Sequence, residues 1–68
     1  MREQMERLIR EMVDKGILFE DAVRAFEKSF MAEVLSRSKG SLTAAAKTLG
    51  IHRNTLSRKV VEHRLRRP

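Results

Sequence analysis

At 68 residues the chain has room for one domain, and a chain this short seldom builds enough core to hold that domain alone. It has no Cys, which excludes disulfides and thiolate metal sites, and no apolar run approaches the ~18 residues of a membrane span. The net charge of +6 is split: residues 1–36 hold six Lys/Arg against eight Asp/Glu (−2), and residues 37–68 hold nine against one (+8).

With neither disulfides nor a metal to supplement a small core, association is the expected route to stability. The first ten residues alternate charged and apolar side chains, unlike a signal or transit peptide, so a cytoplasmic protein is expected. His52 and His63 stand eleven apart, and no carboxylate pattern joins them; no metal and no cofactor is expected. A basic half beside an acidic one suits counterion release from a polyanion, with the acidic half turned away.

Helix one is read over 2–15, where Met5, Leu8, Ile9, Met12 and Val13 form one apolar stripe and Gly16 is the stop. An isolated helix of this length is marginal in water and must pack on something. Helix two is read from 19 to 37 or 38, with Glu20 and Asp21 at the positive end of its dipole and Lys39-Gly40 closing it. Phe19, Val23, Phe26, Phe30 and Val34 line it at spacings of 4, 3, 4 and 4, and Leu18, Ala22, Ala25, Met31, Ala32 and Leu35 broaden the line. So wide an apolar arc has two surfaces to cover. One is assigned to the later helices of the same chain. The other is assigned to a second copy, with helices one and two of both chains making a four-helix bundle. Met5, Leu8, Ile9, Met12, Phe19, Val23, Phe26 and Phe30 are the expected dimer interface.

Residues 40–61 read as two short helices joined at Gly50-Ile51. Ser41 suits an N-cap, Ala44, Ala45 and Ala46 allow another helix to cross closely, and Gly50 tolerates a left-handed helix end. In the last helix Leu56, Val60 and His63 or Arg64 share one face, while Asn54, Ser57, Arg58 and Val61 lie on the other. A small residue four before the turn glycine, with Leu six after it, is the spacing of a helix-turn-helix. That geometry presents the start of the second helix to base edges in a DNA major groove. Arg53 stands there, and its fork matches guanine O6 and N7. Asn54 can reach adenine, His52 can cap the helix or meet a base edge, and Arg58 can reach into the groove. Lys39, Lys47, Lys59 and Arg64 form a basic surround facing phosphate, with Ser57 beside them. Leu49, Ile51, Leu56 and Val60 are core; Val61 points outward with no assigned role.

Gly40, Ser41, Ala45-Ala46, Leu49-Gly50-Ile51, Arg53, Thr55-Leu56 and Lys59 together resemble the signature of the Fis-type helix-turn-helix family. That family includes factor for inversion stimulation and the C-terminal domains of sigma-54-dependent activators. The resemblance is strong over 40–60 and continues back to about Phe26. It implies that Arg53 contacts a base and that Ser41, Thr43 and Thr55 hold phosphate oxygens. His52 stands where the family often has Asn or Ser, and Ala44 where some relatives carry a basic residue. The resemblance also implies recognition helices closer together than one DNA turn, so that the DNA bends.

The fold expected is all-α: a four-helix Fis-like domain over 1–68, with dimerisation helices in 1–39 and the helix-turn-helix and basic tail in 40–68, as an intertwined homodimer. The expected function is sequence-preferring binding of double-stranded DNA, bending it, in transcription regulation or nucleoid architecture of a bacterium. Base contacts are expected from His52, Arg53, Asn54 and Arg58. Phosphate contacts are expected from Ser41, Thr43, Lys47, Thr55, Ser57 and Lys59. Arg64, Arg66 and Arg67 are expected to fray as a basic tail. An enzyme is not expected, because four short helices do not enclose a pocket of the ~300 Å³ that small-molecule sites need. Two rivals remain: the detached DNA-binding end of a larger activator, which the Met1 start argues against, and a protein-interaction module recruiting through helix two. RNA binding is disfavoured, since there is no Tyr or Trp and the three Phe sit at core positions.

Overall fold

A computed structural model describes residues 1–65. The described residues form four helices: α1 (Arg2–Asp14), α2 (Phe19–Arg37), α3 (Leu42–Leu49) and α4 (Arg53–His63). α1 and α2 lie within a residue of where the 3.6-residue periodicity places them, and α3 and α4 flank the expected turn at Gly50-Ile51. Arg66 and Arg67, named above as part of a fraying tail, lie outside the described residues. No described helix is long and apolar enough to cross a membrane.

All four helices end in the same backbone device. The chain turns left-handed at Gly16, Lys39, Gly50 and Arg64, with φ of 73°, 53°, 72° and 52°. After α3, Ile51 N–H donates to Ala46 C=O and Gly50 N–H to Lys47 C=O; after α4, Leu65 donates to Val60 and Arg64 to Val61. These paired bonds satisfy carbonyls that the helix itself leaves free. The expected glycine carries the turn after α1 and α3. After α2 Lys39 and the expected Gly40 are both left-handed, at φ of 53° and 80°, and after α4 the left-handed residue is Arg64.

The core sits at one end of the molecule. Met31 and Leu35 from α2, Ala45 and Ala46 from α3 and Leu56 from α4 are buried, and Leu35 and Leu56 are fully so. Val34, Leu42, Leu49, Ile51, Val60 and Leu65 pack around them. The alanines let α3 lie close against both neighbours, with which it packs extensively. α2 thus turns only its last two turns of apolar residues to its own chain. Phe19, Val23, Phe26 and Phe30 stay exposed, and α1 has no buried residue. Of the eight residues expected at a dimer interface only Met12 is half-buried, the rest being open to solvent.

Candidate nucleic-acid interface

α3, the Gly50 turn and α4 form the helix-turn-helix. Ser41 Oγ accepts from Ala44 N–H at 3.2 Å, so the hydroxyl expected to cap α3 does so. His52 caps α4: its Nδ1 accepts from Asn54 N–H at 3.1 Å. Of the two roles open to His52, the ring adopts capping through Nδ1, which puts the proton of the neutral ring on Nε2 and leaves that edge exposed. The first turn of α4 therefore presents His52, Arg53 and Asn54 side by side, all exposed. Leu56, fully buried, anchors the same turn from below.

Along the outer face of α4, Asn54, Arg58 and Val61 are exposed at i, i+4 and i+7, with Thr55 and Ser57 half-buried beside them. Val61 is 78% exposed, an apolar side chain with nothing over it. On α3, Thr43 and Lys47 are exposed one turn apart. Among the described residues Lys39, Lys47, Arg53, Arg58 and Arg64 form no ion pair. Their charges are free for an outside anion.

Lys59 is different. Its Nζ lies 2.8 Å from Glu27 Oε1 of α2 and 3.8 Å from Glu62 Oε2. His63, not Arg64, takes the inward position at the end of α4; its Nε2 lies 2.8 Å from the same Glu27 oxygen. An ionised carboxylate only accepts, so the imidazole donates there. Hydrogen bonds from Lys59 and then His63 hold the Glu27 carboxyl below its ordinary range, and the bond to Glu27 raises the Lys59 ammonium. Glu27, Glu62 and His63 bring their polar atoms within 4.8 Å of one another, a cluster that the eleven-residue gap between the histidines conceals. Its only sequence signal is that Glu27 falls four before Met31 and eight before Leu35, on the inward stripe of α2.

The cluster borders an open cleft of about 270 Å³ lined also by Phe19, Glu20, Val23 and Arg24. A second open groove, about 520 Å³, runs along Phe30, Val34, Arg37 and Thr48.

A family model described as bacterial regulatory protein, Fis family, matches residues 22–63. The chain is also similar to a Fis-like DNA-binding protein of Xylella fastidiosa: 32% identical over 71 aligned residues, covering 96% of this chain and 79% of that one. No solved structure matches.

Proposed function

Because the chain belongs to the Fis family of bacterial regulatory proteins, we propose that it binds double-stranded DNA as a homodimer, with a preference for roughly two-fold sites. The observation that carries this reading is the first turn of α4. There Arg53 is exposed and, among the described residues, unpaired beside the His52 cap, on a helix whose other face is anchored by Leu56. An exposed guanidinium at that end of a helix-turn-helix suits bidentate contact with guanine.

His52, Asn54 and Arg58 complete the proposed base contacts. Ser41, Thr43, Lys47, Thr55 and Ser57 are the proposed phosphate contacts; Lys59, expected with them, pairs with Glu27 in the free chain. The uncovered apolar side of α1 and α2 is the proposed seat of a second copy, and the exposure of Leu8, Ile9, Phe19, Phe26 and Phe30 supports that reading. Two copies whose α4 helices stand closer than one DNA turn would seat both only on bent DNA, favouring flexible steps and A·T-rich centres through deformation energy. Regulation of transcription, or shaping of the bacterial nucleoid, follows as the setting.

The test is binding of the full chain to sites selected from random DNA, beside Arg53→Ala. The variant should lose ~1–3 kcal/mol of discrimination at the base pair it reads. Equal loss on selected and scrambled DNA would assign Arg53 to phosphate. A circular-permutation assay showing straight DNA in the complex removes the bending.

A further inference from the structure

The tilt of a recognition helix decides whether its base-reading side chains meet their targets, so what holds α4 against the rest of the chain matters. Two kinds of contact do so. Apolar packing joins α2 to α4 through Leu35, Leu56 and the small side chains of α3. Such packing is non-directional, and alanines offer little to resist sliding. The polar contact is directional. One carboxylate oxygen of Glu27 holds Lys59 and His63, each at 2.8 Å, and those residues are one turn apart on α4. Charge-assisted hydrogen bonds of this kind fix geometry as well as strength.

Exposure makes the grip effective. The His63 side chain is 2% exposed and that of Glu27 26%, so solvent competes weakly for the bond between them. Glu62 completes the group at 3.5 Å from His63 Nε2. Two bonds a turn apart constrain both the rotation of α4 about its axis and its position along it. The other end of α4 is set by the Gly50 turn.

We propose that Glu27 is a positioning residue for DNA reading: by gripping Lys59 and His63 together it fixes the roll of α4, and so the direction in which Arg53, Asn54 and Arg58 leave the surface. The proposal rests on α4 being the DNA-reading helix. It gives Lys59 to the clasp rather than to phosphate.

Glu27→Gln keeps the shape and an acceptor oxygen and removes the charge. Its affinity would be measured by fluorescence anisotropy on a selected site and on a scrambled duplex, over a range of salt. Discrimination between the two should fall roughly tenfold, the scale of lost coupling between groups in one network. Binding to the scrambled duplex should persist, with a salt slope steeper by about one phosphate contact as Lys59 is released. A folded Glu27→Gln with unchanged discrimination overturns the proposal. Lys59→Gln is the second arm, and decides alone if Glu27→Gln melts below the assay temperature. It should lose discrimination at constant salt slope. Equal weakening on both duplexes with a slope shallower by about one would place Lys59 on phosphate and overturn the clasp. Wild-type protein that binds both duplexes alike overturns the DNA-reading function itself, an outcome separate from either variant's.

Discussion

Arg64 holds a backbone conformation that costs an L residue ~1–2 kcal/mol and costs glycine almost nothing. Its φ of 52° and ψ of 48° close α4 through the Arg64 and Leu65 amides, and Leu65 packs back on the core. Arg64→Gly should therefore raise the melting temperature by about 5 °C at fixed protein concentration; a lowered value would mean that the arginine side chain supports the helix end. Lys39 stands in the same conformation after α2. The end of α2 was legible from the Lys39-Gly40 pair, both left-handed, whereas Arg64 was not, because glycine marks such a turn only where glycine is used. Ser41, Gly50 and the capping option of His52 were legible, since each acts on backbone within three residues of itself. The exposed position of Val61 was legible too, and nothing in the structure gives it a partner.

Between α2 and α4, the pH dependence of the clasp follows from its two shifted groups. Glu27 sits below its ordinary value of 4.5, so its contribution is present above that value and disappears as pH falls through the lower folded one. Lys59 sits above its ordinary value of 10.5, so its contribution is complete below that value and is lost only as pH rises through the higher folded one. By these two limits the Glu27–Lys59 pair is whole between the ordinary values of 4.5 and 10.5. Wild type should melt above Glu27→Gln throughout that window, with the gap closing as pH drops below 4.5. A gap that persists unchanged in acid would assign the effect to shape rather than charge. Periodicity located α1, α2 and α4, and the Ser41 cap, alanine run and Gly50 turn located α3, because each of these signals is a property of one helix alone. The pairing of Glu27 with residues 32 and 36 positions later is a property of how two helices cross, and the sequence carries no local sign of it.

At the scale of the whole molecule, apolar surface is the unresolved charge against a solitary chain. Phe19 is 81% exposed and Phe26 and Phe30 more than half so, the latter two rings tilted at 38° with centroids 5.4 Å apart, while Leu8 and Ile9 on α1 are about half open. Contiguous apolar faces of this kind on small proteins mark an interaction surface. The line of Phe residues was legible from its spacing; which part of it the chain covers for itself was not, because that depends on where α3 and α4 land. Their apolar packing takes in Met31, Val34 and Leu35, and beyond it α4 reaches α2 through the polar grip of Glu27. Melting temperature should rise with protein concentration, and Phe30→Glu should abolish that rise and sediment as a monomer. An invariant melting point for the wild type would contradict pairing through this face.

The absence of any buried side chain on α1 has a physiological corollary. If each chain needs a twin to shelter its leading helix, the assembled form grows faster than in proportion to the number of molecules made. Synthesis rate then becomes a signal in its own right. A cell that halves its stock of the chain would more than halve the active species, and could silence it by dilution during growth without any ligand or modification.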